Sequence, residues 1–285
     1  MSIFKDTIDN MRGYSMAMYS TWVYHKPTRC LFDAGEGVCL ALRNYVFGID
    51  KVFLSHGHYD HIGGLTGLLY TRASARGDKE KPLSVYYPKG CKQIERLKTF
   101  VSSDRGMKYN LEWNEVEPGD SVDLGAKKFV EVFKVNHSGL SLGYRIVERR
   151  KRLKKELEGR SKIEIREIVL REGSDAVNEQ YHRTVLAYCG DSAPVDASKV
   201  RDAEVLFHEA TFVDVSDRRG ETHSSVDEAV RVAVDAGVKS LVLMHLSSRY
   251  NRKDMEKAAR KAIKHSGWKG SAALLVRGEL YELKV

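Results

Sequence analysis

The sequence predicts an α/β chain in which short apolar strands alternate with helices, a pattern compatible with two sheets covered by helices. Three observations support this. Apolar runs of strand length end five times in a residue able to bind a metal: His56, His137, Asp191, His208-Glu209 and His245. Residues 111–145 are rich in β-formers, with Pro118-Gly119-Asp120 as a turn. Helical segments fall between the strand-like ones, and no repeat of 20–50 residues is present. Periodicity leaves the topology open.

Residues 12–33 read as two strands, the second being Thr28–Asp33, followed by a turn at Asp33-Ala34-Gly35-Glu36-Gly37 and a helix over 38–46. Lys51–Leu54 is a short buried strand, and Gly64–Tyr70 opens a helix. Thr71–Lys81 is polar and reads as a loop, Leu83–Tyr87 as a strand, and Gly90 to about Ser102 as a helix. Lys128–Val135 alternates toward Asn136-His137-Ser138, and Leu142–Val147 is a further strand. Thr184–Tyr188 leads to Cys189-Gly190-Asp191-Ser192, and Val205–Phe207 to His208-Glu209-Ala210-Thr211. Ser225–Ala236 is helical, capped by Ser224 or Ser225. Leu241–Met244 leads to His245, Asp254–His265 is a basic amphipathic helix, and Ala272–Val276 with Leu280–Val285 close a sheet.

At 285 residues and 42% apolar content the chain can bury a real core in one large domain or two small ones. No run of 18 apolar residues is present, and Met1–Thr7 lacks the pattern of a secretory leader. Cys30, Cys39, Cys91 and Cys189 are scattered without CxxC spacing, so reduced thiols in a cytoplasmic protein are expected. The formal net charge of +8 suits a polyanionic partner or a generally basic surface.

The most informative stretch is Ser55-His56-Gly57-His58-Tyr59-Asp60-His61-Ile62-Gly63-Gly64. Three histidines and a carboxylate within six positions, at the end of a strand, suit zinc or another borderline transition metal. Five strand ends carrying His, Asp or Glu are best explained by one site at one edge of a sheet system.

These motifs resemble the metallo-β-lactamase superfamily and, within it, the tRNase Z family of tRNA 3′-processing endoribonucleases. HxHxDH is present at His56–His61, followed by His137-Ser138 and Gly190-Asp191-Ser192. His208-Glu209-Ala210-Thr211-Phe212 matches HEATF, Thr222-His223-Ser224-Ser225 resembles HST, and His245–Tyr250 resembles HxSxRY. Phe32–Gly37 resembles the DxGEG strand end, and Lys81-Pro82-Leu83 the RPL before the next strand. The resemblance spans roughly residues 29–252. It implies an αββα four-layer sandwich, the metallo-β-lactamase fold, over a single domain of residues 1–285 with its metals at one sheet edge. The sequence departs from the family in lacking a glycine-rich opening strand, in Ser192 replacing a threonine, and in the segment between His137 and Asp191. There Glu148–His182 contains no proline and two glycines, Gly159 and Gly173.

Carried over by motif, the resemblance implies that His56, His58 and His137 hold one metal. Asp60, His61 and His245 hold the other, and Asp191 bridges them. Two Zn²⁺ per chain are implied, and these ligands accept Mn²⁺ as well. Such a pair activates a water and clamps the oxygens of a phosphodiester. Asp60 would orient that water or take its proton, and His223, paired with Glu209, would protonate the leaving 3′ oxygen. Taken alone, His223 also reads as a loop or capping residue beside Ser224. Ser247, Arg249 and Tyr250 read equally as phosphate contacts and as structural residues.

Arg149-Arg150-Lys151-Arg152-Leu153-Lys154-Lys155 carries six basic residues in seven. A solvated helix face with pairs such as Glu158–Lys162 is one reading. A basic insert at about 148–182, gripping RNA phosphates through Arg149, Arg150 and Arg152, is the other. The function expected is a metal-dependent phosphodiesterase, a tRNA 3′-processing endoribonuclease that leaves a 3′-hydroxyl. The alternative is a hydrolase of a small phosphodiester, thioester or lactone. Precursor tRNA is the expected partner, a homodimer the expected assembly, and no membrane role is expected.

Overall fold

The computed structural model describes residues 9–137, 139–218 and 220–283. Fourteen strands among these residues form two sheets. In the first, β1 (Met11–Met16), β2 (Ser20–His25), β3 (Cys30–Phe32), β4 (Lys51–Phe53), β5 (Leu83–Pro88) and β6 (Leu111–Val116) lie in sequence order. The first three are antiparallel neighbours, and β3 to β6 are parallel. The second sheet runs in reverse sequence order from β14 (Glu279–Leu283) through β13 (Ser271–Val276), β12 (Ser240–Met244), β11 (Leu206–Glu209), β10 (Asn178–Tyr188), β9 (Leu142–Leu153) and β8 (Lys128–Lys134) to β7 (Ser121–Gly125).

Three apolar clusters establish the layers. Alternate strand residues from both sheets, among them Phe32, Phe53, Tyr144, Tyr188, Phe207 and Val242, pack into one cluster between the sheets. Leu31, Val52 and Leu54 point the other way, against α1 (Val38–Leu42), α3 (Leu65–Arg76) and α4 (Lys92–Ser102). On the far face of the second sheet, Leu206, Leu241 and Leu243 meet α7 (Val226–Asp235) and α8 (Arg252–Ser266). Helix, sheet, sheet, helix is the expected αββα sandwich.

Several boundaries differ from the sequence reading. Residues 12–33 contain three strands rather than two, because a tight turn at residues 17–19 folds β1 onto β2: Tyr19 N–H donates to Met16 O at 3.1 Å. The missing glycine-rich opening is thus replaced by a short hairpin. The expected loop at 71–81 is helical to Arg76. Its cause is Arg72, fully buried, whose guanidinium donates to Val46 O, Ile49 O (both 2.8 Å) and Glu80 Oε1 (2.7 Å). That network satisfies a charge no apolar pattern announces. The helix over 38–46 stops at Leu42 and continues as a 3-10 turn over 43–48.

The basic run is a strand, not a helix face. β9 continues to Leu153 and pairs antiparallel with β10 from Tyr144↔Tyr188 out to Leu153↔Asn178. On the β8 side its pairing ends at Glu148 and a last bond from Arg149 N–H to Lys127 O at 2.8 Å, so from there out residues 149–153 and 178–182 form a two-stranded ribbon. The helix α5 (Lys162–Glu172), opened by a Ser161–Glu164 capping box, and α6 (Ser174–Val177) lie at its end. Glu158 precedes α5 rather than sharing a helix with Lys162.

Candidate metal centre

The strand ends expected to converge do so at one edge of the sandwich. After β4, Ser55 and His56 lead to the short helix α2 (Tyr59–Ile62), which carries Asp60 and His61. The loop after β3 packs so tightly on it that a Cβ on Gly35 would lie 2.3 Å from Asp60 O, and one on Gly64 2.1 Å from Gly35 O. His137 follows β8, Asp191 follows β10, Glu209 ends β11, and His245 follows β12 with a left-handed φ of 55°. Ser138, quoted with His137 in the motif, lies outside the described residues.

Two donor groups form. His56, His58, His137 and Asp191 make the first, Asp60, His61, Asp191 and His245 the second, with candidate ligand atoms of each group within 4.8 Å of one another. Asp191 serves both. Its Oδ2 lies 3.9 Å from His56 Nε2, 3.9 Å from His137 Nε2 and 3.2 Å from His245 Nε2, while Oδ1 lies 3.2 Å from His61 Nε2. Asp60 Oδ2 lies 3.3 Å from His245 Nε2 and 3.7 Å from His61 Nε2. His56 Nε2, His61 Nε2 and Asp191 Oδ1 are buried yet make no aligned hydrogen bond. Buried donors aimed at one another without hydrogen bonds fit a metal cofactor.

The outer ring atoms are held from behind. His61 Nδ1 meets Asp33 Oδ2 at 2.7 Å, His56 Nδ1 meets Ser55 Oγ at 2.9 Å, His137 Nδ1 donates to Thr222 O at 2.9 Å, and His245 Nδ1 meets Thr211 Oγ1 at 2.9 Å. Each arrangement leaves Nε2 facing inward. Asp33, fully buried with a φ of 55°, also accepts from Ser55 N–H (2.7 Å), Ser55 Oγ (2.7 Å) and Tyr188 OH (2.6 Å). It therefore steadies a histidine in each group. Met18 N–H donates to Asp60 Oδ2 at 3.0 Å. Asp33 and Thr211 both stand in motifs, DxGEG and HEATF, that by themselves assign neither a role. Asp33 ends a strand as the five chosen positions do, and that signal was available.

Electrostatics follow burial and charge. Burial, with His61 beside it, holds the His56 pKa well below the usual histidine range. Burial opposes charge on His61, but Asp191 and Asp33 overcome it and raise that pKa well above normal. Asp191 is likewise penalised by burial, yet His245 and His61 hold it well below the ordinary carboxylate range.

Beside the donor groups, His223 Nδ1 meets Glu209 Oε1 at 2.7 Å. The His223 ring centroid lies 4.7 Å from that of His137 and 5.5 Å from that of His245. Burial lowers the His223 pKa, but the hydrogen bond and charge of Glu209 prevail and raise it. Glu209, fully buried, also accepts from Ser192 N–H (3.2 Å), Thr211 N–H (2.9 Å) and Thr211 Oγ1 (2.9 Å). Glu209, His223 and His245 could form a third donor group. With four donors on its carboxylate, however, Glu209 is suited to holding His223 rather than an ion. His208 is a satisfied core residue: Nδ1 donates to Glu209 O at 2.7 Å and Nε2 accepts from Val195 N–H at 3.4 Å. Ser225, not Ser224, caps α7. Tyr250 OH donates to Asp217 at 2.5 Å, whereas exposed Arg249 sits 5.7 Å from the Phe212 ring centroid and Ser247 is part-buried.

Arg149, Arg150 and Arg152 are not brought to the centre. Leu142 N–H donates to Ser55 O beside the histidine loop. Eleven steps along β9 at about 3.3 Å each put Leu153 roughly 36 Å away. Arg150 and Arg152 pair with Glu148 and Glu179 at 2.6 Å each, and Arg149 stacks 4.4 Å from the Phe129 ring centroid.

Residues 28–154 and 176–246 match the family model described as the beta-lactamase superfamily domain, the class that this fold and donor set define. The chain is 34% identical over 255 residues to the ribonuclease Z of Halobacterium salinarum, covering 81% of this chain and 82% of that protein. It is 35% identical over 256 residues to the ribonuclease Z of Gemmatimonas aurantiaca, covering 81% of each. The chain belongs to the ribonuclease Z family of the β-lactamase superfamily. The short form of human tRNase Z shares the fold, with a TM-score of 0.62 at 22% identity over 84% of this chain and 93% of that one. No helix among the described residues is long and apolar enough to cross a membrane.

Proposed function

We propose that this chain is a metal-dependent endoribonuclease that cuts precursor tRNA at its 3′ end and leaves a 3′-hydroxyl. The observation that carries the reading is the buried Glu209 holding His223 at 2.7 Å beside the two donor groups. His56, His58 and His137 would hold one Zn²⁺, Asp60, His61 and His245 would hold a second, and Asp191 would serve both. When bound, the metals supply Lewis acidity to the phosphoryl oxygens and lower the pKa of the attacking water. Asp60, fixed by the Met18 N–H, orients that water or accepts its proton. With Nδ1 committed to Glu209, His223 presents Nε2 to protonate the departing 3′ oxygen. Arg249, whose guanidinium makes no ion pair among the described residues, and Ser247 contact a substrate phosphate.

The domain is single, residues 1–285, with the ribbon of about 148–182 as an arm. Arg149, Arg150 and Arg152 on that ribbon touch RNA through backbone phosphates, far from their own metal centre. That separation favours a homodimer in which one arm steadies RNA at the partner's centre. Incubation with precursor tRNA carrying a 3′ trailer, against bis(p-nitrophenyl) phosphate and cyclic AMP, tests the reading. Cleavage after the discriminator base supports it. Turnover of the small diesters with intact precursor would replace it with the small-molecule alternative.

A further inference from the structure

The wall of the metal centre on the His58 side carries two cations the mechanism does not use. A cavity of about 480 Å³ opens there, lined by His56, His58, Lys92, Gln93, Arg96 and Leu140 among others. Lys92 and Arg96 stand four residues apart on α4, hence on one face, and both are exposed. Like charges at this spacing repel. Neither side chain has a hydrogen bond or ion pair with the described residues to offset that. Their neighbours are committed: Lys89 pairs with Glu117 at 3.2 Å, and Lys98 donates to Tyr87 OH at 3.0 Å. Glu95, between the two cations in sequence, accepts from Tyr87 OH at 2.5 Å and lies 3.6 Å from Lys98. Leu140, 55% exposed, adds an apolar wall suited to the face of a base.

The position of this cavity relative to the proton donor indicates which part of the substrate it meets. His223 serves the leaving 3′ oxygen of the tRNA body, on the side of His137 and His245. The cavity instead reaches His56 and His58 without His223 or His245. The chain on that other side of the scissile phosphate is the trailer.

We infer that Lys92 and Arg96 form a subsite for a backbone phosphate of the RNA trailer, downstream of the scissile bond. This rests on the tRNA-processing reading. The contact is electrostatic and indifferent to trailer sequence, because point charges on a phosphate carry no base information.

The test uses the full-length zinc-loaded protein and two precursors with the same tRNA body, one with a single-nucleotide trailer and one with four. The shorter substrate has no phosphate beyond the scissile one. Wild type is expected to favour the longer trailer in kcat/KM by about tenfold at low salt, the scale of one or two charge-assisted contacts. In the Lys92→Ala/Arg96→Ala double variant that preference should fall to within twofold, with the loss confined to the longer trailer. Its log–log salt slope should fall by about 0.7, the value for one phosphate of a single strand. The Lys92→Arg/Arg96→Lys exchange should keep the preference. An alanine variant that retains the tenfold preference, or loses equally on both precursors, overturns the subsite while leaving the tRNA reading intact. Wild type that hydrolyses bis(p-nitrophenyl) phosphate but cuts neither precursor overturns both.

Discussion

Replacing Glu209 by Gln changes one oxygen to an NH₂ and little else, so its cost can be worked out atom by atom. The carboxylate accepts from four donors, Ser192 N–H and His223 Nδ1 on Oε1, Thr211 N–H and Oγ1 on Oε2. An amide oxygen can replace only one side. With it toward Thr211, the NH₂ faces Ser192 N–H, and His223 must present an unprotonated Nδ1. With it toward Ser192 and His223, the NH₂ faces Thr211 N–H. The Thr211 hydroxyl then turns to donate to His245 Nδ1, 2.9 Å away, which pushes the His245 proton to Nε2, the atom that faces Asp60 and Asp191. Either way one buried backbone N–H loses its acceptor, at about 1–3 kcal/mol of stability, and one functional histidine changes tautomer. The first outcome removes a charged proton donor, a loss of about 10²–10⁴ in kcat. The second weakens metal binding by about 10–100-fold. Single-turnover cleavage of precursor tRNA at saturating zinc, with zinc affinity by chelator competition and urea unfolding, separates them. A Glu209→Gln enzyme within threefold of wild type in rate and zinc affinity, with an unchanged unfolding midpoint, would refute the argument.

Asp33→Asn should lower zinc affinity by about 10–100-fold and stability by about 3–5 kcal/mol, since a buried charge with four donors is replaced; wild-type zinc affinity would contradict its positioning role. The pKa of His25 is lowered from 6.5 to about 4 by burial, with Lys128 adding to the effect. The unfolded chain then binds the extra proton between those values, so stability falls as pH drops below 6.5 and the loss is complete near pH 4. Between pH 7 and 5 this costs about 2 kcal/mol, and urea midpoints of His25→Asn should lack that part of the drop. Changing Arg149, Arg150 and Arg152 together to Ala should raise KM for precursor tRNA and flatten its salt dependence by less than about 0.9 per charge, because two of the three are already paired. An unchanged salt slope would exclude the arm from RNA contact.

The legible parts of this protein were those that repeat in one dimension. Strand-end histidines and carboxylates mark one sheet edge, since each follows an apolar run whose hand and direction a sheet must respect. What escaped was set by contacts between distant segments. The helix through Arg76 depends on carbonyls at Val46 and Ile49, which no local pattern reveals. Arg149–Leu153 looks like a solvated helix by charge, yet pairing with residues 178–182 makes it a ribbon. Asp33 acquires its role from Ser55, His61 and Tyr188, the last 155 positions away. The two donor groups were readable because their motifs are short. The residues holding those donors were not, because a hydrogen-bond partner leaves no spacing behind.

Metal-dependent cleavage at the tRNA 3′ end can be tested by mapping the ends produced from a precursor with a 3′ trailer. Protein stripped by chelator and then reloaded with zinc should cut only when reloaded, giving a tRNA that ends in a 3′-hydroxyl after the discriminator base and a trailer with a 5′-phosphate. Cutting by the stripped protein, or a 2′,3′-cyclic phosphate on the tRNA fragment, would contradict the account, because the first needs no metal and the second uses the ribose hydroxyl in place of water.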